Sequence, residues 1–192
     1  MSELAKISAR QASDILARFE LSEDAAGFAE KAQLPPLEFI KQLVQQNFYF
    51  DAVKFLAHGL PKREAIWWAC LAVKKSLPKD APAPQQAALN AAEQWAITPS
   101  EEKRQLARAW SEKTAQKSAA SWAATAVFWS GGSLAKPGEP EMQPPPHLYA
   151  HAVAGAISMA AFALNQDNPA DAFKLFIRQG LDLASGGRGD VA

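Results

Sequence analysis

Apolar residues recur at intervals of three and four along most of the chain, and proline or glycine interrupts this repeat at short intervals. Such spacing places the apolar side chains on one face of an α-helix. The patterns that predict β-strands, alternating β-branched residues beside a glycine-containing hairpin turn, are nearly absent from the sequence. The chain is therefore expected to be all-α.

Helix start and stop signals divide this pattern into about eight short helices. Pro61 suits the first turn of one helix, and Thr98 and Glu101 have the spacing of a capping box at the start of another. The segment from Pro61 to Leu77 carries apolar residues on more than one face and is expected to lie at the centre of the core. Proline is frequent over 133–146, which predicts a non-helical surface loop. We expect a compact orthogonal bundle of helices with one proline-rich loop.

The length of 192 residues fits one domain, so residues 1–192 are expected to form a single helical domain. The first 46 residues match no motif and either belong to this domain or form a helical extension of it. Residues 186–192 are rich in glycine and are expected to be a flexible tail.

Charge and cysteine content exclude several classes of partner. Lys and Arg number 20, as do Asp and Glu, so the excess of basic residues that nucleic-acid binding requires is missing. The apolar stretch Ala152–Leu164 is shorter than the roughly 20 residues needed to span a bilayer, and we expect it to be a buried helix. Cys70 is the single cysteine and cannot form an internal disulfide. Together with the lack of a signal-peptide pattern, this predicts a cytoplasmic protein.

Histidine spacing gives only a weak metal signal. His147 and His151 are separated by one helical turn, but Leu148 stands where a zinc protease would have glutamate. The other histidine, His58, is distant in the sequence. We therefore expect surface or capping histidines and no metal, and Cys70 is expected to be a buried structural thiol. The sequence predicts no catalytic residue and no cofactor.

One polar cluster leaves an enzymatic alternative open. His58, Arg63 and Glu64 lie around the predicted helix junction 58–64, and an active site could be assembled there from dispersed residues. Helix capping and ion pairing explain the same residues without catalysis.

Aromatic residues favour a binding function. Consecutive residues of a helix point about 100° apart, so Trp67 and Trp68 cannot both face one core. Trp68 is expected to be core, whereas Trp67 and Tyr49 are either core or interface residues. Aromatic anchors and the proline-rich loop predict a non-catalytic protein-interaction or adaptor protein, with another protein as its partner. The candidate partner-binding residues are Tyr49, Trp67, Trp129, Pro144, Pro145 and Pro146.

Three sequence segments resemble a known family: the run from Asp51 to Cys70, the segment from Phe128 to Ser133, and Pro-Pro-Pro-His-Leu at 144–148. In these segments the chain is similar to an uncharacterised family of proteobacterial helical proteins of about the same length. The resemblance covers most of the chain from Phe48 onward. It implies an association with type VI secretion gene clusters and therefore an accessory role in that system, and it implies no catalytic residue.

Overall fold

The computed structural model describes residues 4–136 and 138–191. Every regular element in these ranges is helical, which confirms the predicted all-α fold. A 3₁₀ segment, Glu23–Lys31, accompanies nine α-helices, one more than the sequence indicated. The α-helices are α1 Ala12–Leu16, α2 Pro36–Gln45, α3 Tyr49–Gly59, α4 Lys62–Ser76, α5 Ala83–Ile97, α6 Glu101–Lys113, α7 Ala119–Phe128, α8 Leu148–Leu164 and α9 Ala170–Ala184.

Small residues let α8 lie in the interior of the bundle. Ala152, Ala156 and Ala160 recur every fourth residue, and all three are fully buried. Because their side chains are short, the neighbouring helices can approach α8 closely. The helix packs against α7, α4, α3 and α9. Within the described residues, no helix has the length and apolarity to span a membrane.

A second region of the core lies where α4 and α9 approach each other closely. Trp68 is fully buried, and its indole nitrogen donates a hydrogen bond to the carbonyl oxygen of Phe176 over 2.7 Å. At Gly180, a Cβ atom would lie 2.5 Å from a methyl carbon of Leu56 and 2.8 Å from the Trp68 ring. Any larger residue at 180 would push α9 away from α3 and α4.

The predicted capping box at Thr98 does not form. Helix α6 begins at Glu101, and the hydroxyl of Ser100 accepts a hydrogen bond from the backbone nitrogen of Lys103 at 3.2 Å. The Glu101 carboxylate pairs with Arg104 and so does not turn back to a backbone amide. When Ser100 is the cap, Glu101 and Glu102 lie in the first turn of α6. Acidic residues stabilise that end of a helix, so Ser100 is a better cap than Thr98.

Residues 4–46 pack against the rest of the bundle. The backbone nitrogen of Lys6 donates to the carbonyl oxygen of Ala184 at 2.8 Å. The Ile7 and Ile15 side chains lie against α3 at Gly59, where a Cβ atom would be 3.3 Å and 3.0 Å from them. This segment therefore covers one end of α3 and contacts the end of α9.

The segment after α9 has contacts with the rest of the bundle as far as Gly189. Gly186 has a φ of 95°, and the nitrogen of Gly187 donates to the carbonyl of Asp182 at 2.8 Å, which closes the helix in a Schellman motif. The Asp182 carboxylate also accepts from the nitrogen of Gly189. These hydrogen bonds join Gly187 and Gly189 to the end of α9; residue 192 of the expected flexible tail lies outside the described residues.

Candidate functional site

An uncharged aromatic hollow lies where α3, α8 and α9 meet. It has a volume of about 450 Å³ and contains Tyr49, Phe50, Phe162 and Phe173. The Tyr49 ring stacks on Phe173 at a centroid distance of 6.1 Å, and the edge of Phe162 meets Phe173 at 6.0 Å. The candidate residue Tyr49 is therefore a half-buried part of a larger aromatic group.

A second hollow continues from the other side of Phe162. It has a volume of about 710 Å³ and includes Trp122, Met159 and Phe162. Trp122 rests on α8 at Gly155, where a Cβ atom would be 3.7 Å from the indole. The candidate residue Trp129 meets Trp122 edge to face at a centroid distance of 6.0 Å. Trp129 therefore lies beside the second hollow and supports its wall.

Phe162 joins the two hollows because it lies on the outer side of α8, near the end of that helix. It is 50% exposed, whereas the alanines on the inner side of α8 are fully buried. We call the residues that line both hollows the Phe162 surface; they are Asn47, Tyr49, Phe50, Trp122, Gly155, Ser158, Met159, Phe162, Ala163, Gln166, Asn168, Pro169, Ala170 and Phe173. None of these residues carries a charge.

The other predicted partner-binding residues lie outside the Phe162 surface. Trp67 is half-buried, and its indole nitrogen is 3.5 Å from the carbonyl oxygen of Arg188 in the C-terminal segment. Pro144 is half-buried and Pro145 and Pro146 are exposed, immediately before α8. The structure thus places Tyr49 on the Phe162 surface and Trp129 behind Trp122 at its edge, and it leaves Trp67 and the three prolines elsewhere.

Two arginines of α6 anchor the beginning of the proline-rich loop. Arg104 is buried, pairs with Glu101, and donates to the carbonyl oxygens of Phe128 and Ser133 at 2.8 Å and 3.2 Å. Arg108 donates to the carbonyl oxygen of Ala135 at 3.0 Å. The Arg104 side chain also lowers the pKa of Glu101 to about 2 by hydrogen bonding to its carboxylate.

Replacing Arg104 is therefore expected to loosen the loop. Arg104→Met leaves two carbonyl oxygens without their charged donor and should lower the free energy of unfolding by about 2 kcal/mol. Cleavage after the exposed Glu141 by a glutamyl endopeptidase should become faster. Arg63→Met is the matched control, because Arg63 donates to the carbonyls of Ala96 and Ile97, away from the loop. Equal cleavage rates in both variants would show that Arg104 does not anchor the loop.

The three residues of the predicted polar cluster do not converge. His58 is fully buried at the end of α3, whereas Arg63 reaches the end of α5. Glu64 forms an ion pair with Lys6 at 2.7 Å. A site that needs these three side chains together is not present in this arrangement.

All three histidines of the chain lie close together, although His58 is distant from the other two in sequence. The His58 ring is 4.6 Å from that of His151 and 6.4 Å from that of His147, between ring centroids. His58 Nδ1 is 2.7 Å from the carbonyl oxygen of Lys54, so this nitrogen carries the proton in the neutral ring. His58 Nε2 is buried without a hydrogen-bond partner, as is His147 Nδ1. We call these three residues the histidine cluster.

Burial and neighbouring cations keep this cluster neutral. Desolvation lowers the pKa of His58 to about 4 and also lowers the pKa values of His147 and His151. Among the described residues, no group of three or more His, Cys, Asp or Glu side chains is placed to hold a metal ion. Cys70 is buried, and burial raises the pKa of its thiol, as expected of a structural cysteine.

Sequence reasoning missed two features of these sites. Phe162 belongs to the stretch Ala152–Leu164, all of which the sequence analysis predicts to be buried. A single large aromatic residue among alanines near the end of the helix is the signal that this position is exposed. The meeting of His58 with His147 and His151 depends on how α3 packs against α8. The sequence signal that could have drawn attention to this cluster is the small number of histidines, since the chain has only three.

A third hollow, of about 920 Å³, lies between the N-terminal segment and the start of α2, and it contains none of the predicted site residues. No curated protein and no solved structure matches the chain. A family model does match, over residues 39–184, which is most of the chain and includes the Phe162 surface and the histidine cluster. The chain therefore belongs to the family described as "Family of unknown function (DUF6931)".

Proposed function

We propose that this protein is a non-catalytic adaptor that binds another protein through the Phe162 surface. The observation that carries the proposal is the half-exposed Phe162 between two uncharged hollows. The centres of protein interfaces are depleted in charged residues and enriched in aromatic residues and methionine. Phe50 and Phe162, which are 47% and 50% exposed, both belong to this surface, and two exposed aromatic rings side by side favour a binding role.

The shape of the surface favours an amphipathic helix of the partner. Two hollows separated by one aromatic ring can each receive an apolar side chain from successive turns of such a helix. The amide side chains of Asn47, Gln166 and Asn168 line the same hollows and can hydrogen-bond the partner's polar groups. An apolar helix face would therefore fill the hollows while its edges meet these amides.

The family resemblance noted above supports a more specific setting. We propose that the partner is a component of a bacterial type VI secretion apparatus and that binding takes place in the cytoplasm. The single buried thiol of Cys70 suits a reducing compartment. The alternative, an enzyme at the junction 58–64, has less support because His58, Arg63 and Glu64 contact different parts of the structure.

Charge reversal of the surface tests the adaptor proposal. Phe162→Glu should abolish binding, because a carboxylate between two apolar hollows must be desolvated when the partner docks. Leu106→Glu is the matched control, since Leu106 is 49% exposed on α6, outside the Phe162 surface. A photo-crosslinking residue at position 159 in the native bacterium, followed by mass spectrometry, would identify the bound protein, and both charge variants would then be tested with that purified protein.

We expect at least a hundredfold weaker binding for Phe162→Glu and unchanged binding for Leu106→Glu. Equal binding by the two variants would contradict a docking role for the Phe162 surface. A crosslinked partner from outside the secretion apparatus would leave the adaptor role intact and reject the type VI assignment.

A further inference from the structure

The histidine cluster lies among cationic side chains from several parts of the fold. Arg18, which follows α1, donates to the carbonyl oxygen of His58 at 2.6 Å. Lys62, at the start of α4, donates to the carbonyl oxygen of Ser130 at 2.6 Å. The positive charges of Arg18 and Lys62 lower the pKa of His147. The charge of Lys54, on α3, lowers the pKa values of His58 and His151. Within the described residues, no carboxylate is among the groups that shift the pKa values of the three imidazoles.

The N-terminal end of α8 also lies at the histidine cluster. That helix has 17 residues, no acidic residue in its first turn, and no capping hydrogen bond from the side chain of His147. Neither a first-turn acidic residue nor a side-chain cap therefore compensates the positive end of α8. His147 has a left-handed backbone, with a φ of 62°, a conformation that is strained for residues other than glycine.

A fully buried, unpartnered nitrogen gives independent evidence for a ligand. His58 has no exposed surface, its Nε2 is buried without a hydrogen-bond partner, and its ring centroid lies 4.6 Å from that of His151. Because Nδ1 is directed to the carbonyl of Lys54, Nε2 is a lone-pair acceptor in the neutral ring. The side chains of His151 and Lys62 are exposed, so the outer side of the cluster meets solvent.

We propose that the histidine cluster, with Arg18 and Lys62, binds the phosphate group of a small molecule. The oxygens of the phosphate would accept hydrogen bonds from Arg18, Lys62 and the imidazole of His147 or His151. Near neutral pH a phosphate group can carry one hydroxyl, which would donate to His58 Nε2. Sulfate has the same shape but no proton to donate, so it would leave the Nε2 atom unsatisfied.

Binding should strengthen in mildly acidic solution. Protonation of His147 or His151 adds a charged donor, and both have pKa values below the ordinary range, so the anion must draw a proton into the site. The other ionisable groups at the site are Arg18, Lys54, Lys62 and Tyr149. The pKa of Tyr149 is raised by burial, so its phenol stays neutral.

Nuclear magnetic resonance of the full chain provides a direct test, because every histidine signal comes from this cluster. Inorganic phosphate, ethyl phosphate and sulfate would be titrated separately at pH 6 and pH 7.5 while the imidazole signals are followed. We expect saturable shifts of the three imidazoles with phosphate, tighter binding at the lower pH, and at least tenfold weaker binding of sulfate. Tighter binding of ethyl phosphate than of inorganic phosphate would identify an organic phosphate as the ligand.

Two variants distinguish this site from general electrostatic attraction. Lys62→Gln removes a donor and should weaken phosphate binding about tenfold. Lys75→Gln makes the same charge change at the other end of α4 and should leave the affinity unchanged. Imidazole signals that do not move at millimolar phosphate, equal responses to phosphate and sulfate, or equal losses in the two lysine variants would each overturn the proposal. Because the site lies apart from the Phe162 surface, its failure would leave the adaptor proposal standing.

Discussion

Trp68→Ala is expected to lower the free energy of unfolding by about 4 kcal/mol, among the largest effects of any single substitution in this protein. The indole is fully buried, and removing it leaves a large cavity between α4 and α9. It also leaves the carbonyl oxygen of Phe176 without its hydrogen bond. Urea unfolding followed by circular dichroism would measure the change.

The neighbouring tryptophan is a control of the same size and chemistry. Trp67 is only half-buried, and its indole makes a long contact with the carbonyl oxygen of Arg188. Trp67→Ala should therefore cost about 1 kcal/mol. Similar losses in the two variants would show that α4 does not bury one tryptophan in preference to the other.

Acid is expected to destabilise the protein through His58. In the folded protein the pKa of His58 is about 4, below the unfolded value of 6.5, because burial disfavours the charged ring. The unfolded chain therefore binds the proton first, and stability is fully present above pH 6.5 and decreases as the pH falls towards 4. The loss attributable to His58 is about 2 kcal/mol between pH 7 and pH 5.

A phenylalanine at position 58 isolates the contribution of His58 to the pH dependence of stability. His58→Phe should preserve the stacking on Phe19, whose ring is 4.6 Å from that of His58, and remove the titrating group. Unfolding free energies measured in urea at several pH values should then change less between pH 7 and pH 5 than those of the unsubstituted chain. An unaltered pH dependence would mean that His58 is not the group that couples protonation to folding. His147 and His151 act in the same direction and account for a smaller remaining slope.

Much of the fold follows from local patterns in the sequence, because helices are formed by residues that are near one another in the chain. The buried face of α2, with Phe39, Ile40 and Leu43, is visible as a repeat of three and four. The start of α6 is two residues later than the predicted cap at Thr98, because Ser100 caps the helix instead. The burial of Trp68 was expected, but its partner Phe176 could not be inferred, since the two residues belong to helices far apart in the sequence.

The candidate sites depend more than the helices do on contacts between residues that are far apart in the sequence. The sequence leaves Tyr49 as either a core or an interface residue, and its stacking on Phe173, which also meets Phe162, is visible only in the folded chain. Sequence spacing likewise related His147 to His151 but not to His58. A pattern that assigns residues to one helix face carries no information about which other helix lies opposite.

The backbone hydrogen bond between Lys6 and Ala184 brings the two ends of the described chain together. Neighbouring ends are the geometric condition for circular permutation, in which a short linker joins them and new ends are opened elsewhere. The exposed part of the proline-rich loop, around Glu141, is a suitable place to open the chain because it lies between α7 and α8 and contains no helix. A permuted chain of that kind would start with the histidine-bearing helix α8 and would keep every helix intact.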